Sequence, residues 1–195
     1  MRKLYWSGAG LGVLAAAGLA FAGTRPMALA PDSPPAAIAL RVDVSERTLY
    51  VTEGDDVLAS YPVAVGKPGH ATPRGEYAVR RVIWNPRWVP PKTAWAREKT
   101  AKAPGDPDNP MGRVKIFFKD PDYYLHGTNA VKSLGQAASH GCVRLRNEDI
   151  IELAQLLMDH GDAPIEPNLV QRLINRVRQT KEVQLARPVP LRVET

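Results

Sequence analysis

The residues best suited to chemistry lie in one short stretch. Tyr123-Tyr124-Leu125-His126-Gly127-Thr128 is followed by Ser133-Leu134-Gly135 and then by Ser139-His140-Gly141-Cys142-Val143-Arg144-Leu145. A cysteine set between a glycine and an approaching helix, with Arg144 and a histidine nearby, is expected to form a thiolate stabilised by the helix amino terminus and these charges. A thiolate with a positioned histidine is the minimum for nucleophilic acyl transfer. Gly141 lets the backbone come close to a substrate carbonyl, and the amides of His140, Gly141 and Cys142 are candidates to face a developing oxyanion. The competing readings are structural. A lone cysteine is most often a buried small hydrophobe, His126 by itself reads as a satisfied structural histidine, and Arg144 as a surface charge. A zinc site built from His126, His140 and Cys142 would have no second cysteine and no metal-ligand spacing elsewhere. A loop crowded with glycine, histidine and arginine is a poor place for filler, which favours catalysis.

These residues must be held by strands. Ile38 to Val44 alternates in a β rhythm, Thr48 to Thr52 follows a polar turn, and Glu53-Gly54-Asp55-Asp56 leads into Val57 to Val65, together a β-meander. Glu76 to Ile83, Arg113 to Phe118 and Tyr123 to His126 are further strands, the last two joined by the turn Lys119-Asp120-Pro121-Asp122. Asn147 is expected to cap a helix whose apolar face carries Ile150, Ile151, Leu153, Ala154, Leu156, Leu157 and Met158 and which ends at Gly161. A second helix is expected over 168–179. Val183-Gln184-Leu185 and Pro188 to Val193 read as a last strand, placed at an edge because proline cannot donate to a ladder. The fold class is therefore mainly β with packed helices (α+β), a sandwich or barrel-like sheet.

Composition agrees with such a domain. The 195 residues are 44% hydrophobic and 24% charged, enough for one sizeable core and too apolar for disorder. The net charge of +6 suits an anionic polymer or surface, while basic runs interleaved with aromatics, the mark of nucleic-acid binding, are lacking. Met1-Arg2-Lys3 precedes Leu4 to Ala22, apolar or small apart from Ser7 and ending Ala20-Phe21-Ala22. That layout predicts a secretory signal, with an uncleaved membrane anchor as the rival. Residues 23–37, rich in proline, read as a linker, and the domain is expected to run over 38–195.

The ordered set His126-Gly127-Thr128, Ser133, Gly135, Ser139-His140-Gly141-Cys142-Val143-Arg144-Leu145 and Asp149 closely resembles the catalytic domain of the YkuD-type L,D-transpeptidases, which act on bacterial peptidoglycan. Subsidiary matches are Gly66-Lys67-Pro68-Gly69 with Thr72-Pro73-Arg74-Gly75, the segment from Trp84 to Pro91, and Asp108-Asn109-Pro110-Met111-Gly112, where the family usually has leucine in place of Met111. The resemblance covers roughly Ile38 to the end. It implies that Cys142 attacks the third residue of a tetrapeptide stem, commonly diaminopimelate, and expels D-alanine. The thioester then passes to an amine of another stem, a lipoprotein lysine or water. It further implies that His126 is the base and acid, that His140 shapes the loop, and that Arg144 and Ser139 anchor the loop or a substrate carboxylate. Thr128, Gly127 and Tyr124 are the neighbouring candidates for substrate contact. No metal or organic cofactor is implied, and the place of action is the periplasm or cell envelope. A papain-like arrangement is disfavoured, since there the cysteine precedes the histidine.

Overall fold

The computed structural model describes residues 37–163, 166 and 168–195. The expected leader and linker, 1–22 and 23–37, therefore fall outside the described residues apart from Ala37. Ten strands and two α-helices follow: β1 Ile38–Asp43, β2 Thr48–Glu53, β3 Asp56–Pro62, β4 Val65–Gly66, β5 Gly75–Trp84, β6 Val114–Lys119, β7 Tyr123–Gly127, β8 Ala137–Ser139, β9 Val143–Leu145, α1 Asn147–His160, α2 Leu169–Asn175 and β10 Lys181–Glu194. Eight strands form one sheet in the order β3-β2-β1-β10-β5-β6-β7-β9, and β4 pairs with β8 separately. A bridge between Ala64 and Arg144, with backbone bonds of 3.0 and 2.9 Å, brings the chain just after β3 back to β9. The sheet is thus nearly closed and barrel-like.

Alternation along the strands explains which side chains enter the core. Leu40 and Val42 of β1, Leu49 and Val51 of β2, Val114, Ile116 and Phe118 of β6, Leu125 of β7 and Val143 and Leu145 of β9 are all buried. Each such side chain contributes about 1.5–3 kcal/mol when fully removed from water. Because successive residues of a strand point to opposite faces, this core set sends Lys115, Phe117, Tyr124, His126 and Arg144 to the other face. Helix α1 lies on β6, β7 and β10 through Ile150, Leu153, Ala154, Leu157 and Met158. Trp84 Nε1 donates to Met158 Sδ at 3.3 Å in this interface.

Three expectations need correction. The last strand is central, between β1 and β5. Its prolines fit because Pro188 falls in an irregularity between Gln184 and Val189, while Pro190 is paired with β5 one residue before pairing with β1 begins at Leu191. Asn147 is the first residue of α1 rather than its cap, and its side-chain oxygen accepts the Arg113 N–H at 3.0 Å. The second helix spans only Leu169–Asn175, because the carbonyls after it turn toward Asn85. Among the described residues no helix is long and apolar enough to cross a membrane.

Candidate active site

Cys142 follows the loop from β8 and immediately precedes β9. The parallel pairing of β7 with β9 sets Leu125 beside Val143 and His126 beside Arg144, so Tyr124 and His126 share a face with Arg144 and Cys142. The thiol is half-buried and donates to the Asp122 carbonyl at 3.4 Å. Burial pushes its pKa above the ordinary 9.0, against the pull of the Tyr124 N–H and hydroxyl and the charges of Lys115 and Arg144. The resting group is a thiol at neutral pH. The expected support from a helix amino terminus is absent at close range, since the whole of β9 intervenes before α1.

His126 is buried, 4% exposed. Its Nδ1 lies 2.6 Å from the Gly127 carbonyl; a carbonyl only accepts, so Nδ1 carries the proton and Nε2 is left as the basic nitrogen. Burial first, then the Arg144 charge, lowers its pKa to about 3 against the favourable carbonyls of Gly127 and Pro110. The imidazole is therefore neutral, in the form a general base requires. Tyr124 packs edge-on against this ring, with centroids 5.5 Å apart.

The Ser139–Cys142 loop is fixed internally. Ser139, 1% exposed, donates its hydroxyl to the Cys142 carbonyl at 2.6 Å and accepts the Gly141 N–H at 3.0 Å. That removes Ser139 from the surface offered to substrate and removes the Gly141 amide from the expected oxyanion set, leaving the amides of His140 and Cys142. Gly141 has φ +108, and a Cβ there would stand 2.8 Å from the Tyr123 ring, so only glycine suits the turn. Gly127 is a packing glycine against Arg113 and Asn147, and Thr128 Oγ1 accepts the Ala130 N–H at 3.1 Å; both are buried. The subsidiary glycine-rich motif supports the same loop: Gly66 N–H donates to Thr72 Oγ1 at 2.9 Å and Lys67 N–H to the Ser139 carbonyl at 3.1 Å.

His140 stacks on Trp95, with centroids 4.1 Å apart and planes 12° apart, and meets His70 edge-on at 4.7 Å. These contacts join the loop to the segments before and after β5. Partial burial, then Lys67, holds the His140 pKa below the ordinary 6.5. Among the described residues no group of three or more His, Cys, Asp or Glu side chains is placed to hold a metal ion. The zinc alternative therefore has no geometric support. Sequence reasoning missed Lys115, Trp95 and His70. A cavity of about 650 Å³ lined by Ser60, Tyr61, Val131, Arg146 and Asp149 does not include Cys142.

A family model described as the L,D-transpeptidase catalytic domain, YkuD, matches residues 38–177. The chain belongs to this family. It is 32% identical over 137 residues to a Bacillus licheniformis protein bearing the name L,D-transpeptidase YkuD, covering 70% of this chain and 69% of that one. It is 37% identical over 141 residues to the Salmonella typhimurium protein named L,D-transpeptidase ErfK/SrfK, covering 67% of this chain but only 43% of the relative. In three dimensions it resembles the catalytic domain of the Enterococcus faecium L,D-transpeptidase, with TM-score 0.51, 14% identity and coverage of 84% and 100%. Mycobacterium tuberculosis L,D-transpeptidase 3 gives 0.51 at 16% identity, covering 82% of this chain and 60% of that one. These solved structures share the overall fold of the chain.

Proposed function

We propose that the chain is an exported L,D-transpeptidase that works on peptidoglycan stem peptides in the periplasm or cell envelope, with Cys142 as nucleophile and His126 as base. The observation that carries this reading is the placement of Cys142 and His126 on one face of adjacent parallel strands, with Nδ1 of the histidine tied to the Gly127 carbonyl. His126 Nε2 takes the thiol proton as sulfur adds to the carbonyl of the third stem residue, a diaminopimelate. The amides of His140 and Cys142 face the oxyanion. Collapse breaks the peptide bond, and the proton on Nε2 passes to the leaving D-alanine amine, leaving a thioester. An amine of a second stem, or a lipoprotein lysine, then adds as its proton returns to Nε2, and the thiol is regenerated. The peptide-bond energy is kept in the thioester, so no nucleotide is needed. A neutral thiol beside a neutral imidazole supports general-base catalysis over a resting ion pair.

The direct test is mass spectrometry of the protein mixed with disaccharide-tetrapeptide. The expected result is an adduct on Cys142 that is lost in Cys142→Ala, together with 3-3 crosslinked dimers. An adduct that resolves only to tripeptide assigns the acyl group to water and makes the chain a carboxypeptidase. No adduct from folded protein leaves a non-catalytic wall-binding module. Export is tested by amino-terminal sequencing of the envelope form: a start after residue 22 marks a cleaved leader, and a start at Met1 an anchor.

A further inference from the structure

The outer face of β5, β6 and β7 carries a row of cations interleaved with aromatic rings. Arg81 lies over Phe117 at 4.2 Å; Lys115 Nζ stands 4.3 Å from the Phe117 centroid and 3.9 Å from that of Tyr124. Tyr124 in turn abuts His126 and Cys142. The two ends of the row differ in how they are neutralised. Arg81 is paired with Asp120 and Glu182. Lys115 and Arg144, the two cations nearest the thiol, are half-buried and make no ion pair among the described residues. The acidic groups that act electrically on Lys115 are the Cys142 thiol first, then Asp120, held by Arg81, and the exposed Asp122.

Such an arrangement is costly by itself. Each cation has left water with no carboxylate at ion-pair distance among the described residues, and burial lowers the pKa of both Lys115 and Arg144, opposed first by the Cys142 sulfur when it is ionised. The rings recover part of that cost through cation–π attraction, which leaves the ammonium partly desolvated but still able to donate. Nothing about the strand requires a lysine here, since register pairs position 115 with His126 on a face that Phe117 and Tyr124 already cover. A desolvated, unpaired cation beside a nucleophile fits an incoming carboxylate.

We propose that Lys115, with Arg144, forms a carboxylate subsite that fixes the donor stem beside Cys142, and that Lys115 is a specificity-determining residue of this site. The inference rests on the proposed donor class, and it names the part of the donor that is read: a free carboxylate. Tetrapeptide stems offer two of them close to the scissile bond, on the terminal D-alanine and on the diaminopimelate side chain.

The first experiment needs no peptide donor and so stands apart from turnover. Cys142 is alkylated with iodoacetate, which carries a carboxylate, and with iodoacetamide, which is neutral; the ratio of the two rates cancels the thiolate fraction. In the wild type this ratio is expected to exceed that of 2-mercaptoethanol by about tenfold, the lower end for one charge-assisted hydrogen bond. Lys115→Met should remove most of the preference and Lys115→Arg should keep it. A wild-type ratio no higher than that of 2-mercaptoethanol overturns the proposal whether or not the variants fold. So does a Lys115→Met ratio equal to wild type, even if both rates fall together, because that pattern means Lys115 acts only on the thiol.

The second experiment compares donors amidated at either carboxyl. The amide at the recognised carboxyl should raise KM several-fold with little change in kcat in the wild type, and should have no further effect in Lys115→Met. Equal KM for both amides and the free acid, in an enzyme that does form the Cys142 adduct, overturns the subsite while leaving the transpeptidase reading standing.

Discussion

Arg113 and Lys115 flank the first residue of β6, both half-buried, and their surroundings are opposite in kind. Arg113 donates to Asn85 Oδ1 at 3.1 Å and to the carbonyls of Leu173 and Ile174 at 3.2 and 2.8 Å. Asn85 itself donates to Leu173, Arg176 and Gln179, and its carbonyl accepts the Thr180 hydroxyl at 2.7 Å. Asn109 bonds Pro86, Ala103 and Met111 in the same way. Two of the subsidiary sequence matches thus supply a polar network that ties α2 and the loops to the sheet with its donors and acceptors matched. Around Lys115 and Arg144 no such matching is seen among the described residues. One region is complete in itself, and the other is the one that the proposed carboxylate subsite would complete.

The largest expected effect breaks the complete side. Arg113→Met leaves the Asn85 amide oxygen and the Ile174 carbonyl without their donor and takes one of two donors from the Leu173 carbonyl, and should lower unfolding free energy by about 3 kcal/mol or more. Urea denaturation measures it; a loss under about 1 kcal/mol would show that water replaces the guanidinium freely. On the incomplete side, His126→Ala should slow formation of the Cys142 acyl-enzyme by about a hundredfold, in line with general-base effects. Stopped adduct mass spectrometry reads the rate, and a wild-type rate removes His126 from the mechanism.

A pH titration sharpens the contrast next. His126 has a folded-state pKa lowered to about 3 from the ordinary 6.5. Between these values the unfolded chain binds a proton that the folded chain refuses, so stability rises with pH across that window and falls on acidification. The slope from this group approaches about 1.4 kcal/mol per pH unit, the limit for one proton. His126→Gln should flatten the stability profile between about pH 6 and 4; an unchanged slope would place the acid sensitivity elsewhere.

Much of the frame was legible because burial imposes a period. Strands β1, β2 and β6 alternate in burial, and α1 shows its apolar face through Ile150, Leu153, Ala154, Leu157 and Met158. Strand β9 was hidden because three residues, Val143-Arg144-Leu145, are too few to display a period. The central position of β10 was hidden because its prolines signal an edge, and only the pairing partners show that neither stands where both neighbours are paired. Within the site, Cys142 and His126 were readable from type and spacing. Trp95 was not, since its stacking on His140 joins residues far apart in sequence. Lys115 was not, because a lysine alternating with apolar residues reads as a solvated face.

The smallest expected effect concerns that lysine and has the most to say about the comparison. Lys115→Met removes two cation–π contacts, with Phe117 and Tyr124, each worth about 0.5–1 kcal/mol, but also relieves the burial that depresses the ammonium pKa. The two should nearly cancel, leaving stability within about 1 kcal/mol of wild type at neutral pH, far from the Arg113→Met loss. The sign of what remains depends on pH. Below its folded pKa, Lys115 is charged in both states and the full penalty of burial is present; as pH rises toward the ordinary lysine value of 10.5, the folded state sheds its proton first and the penalty fades. The stability of Lys115→Met relative to wild type should therefore fall as pH rises toward that value, and denaturant titrations at two pH values measure the difference. A Lys115→Met variant as damaged as Arg113→Met would make Lys115 part of the frame, and the unpaired charge beside Cys142 would then be a structural cation rather than a place kept for substrate.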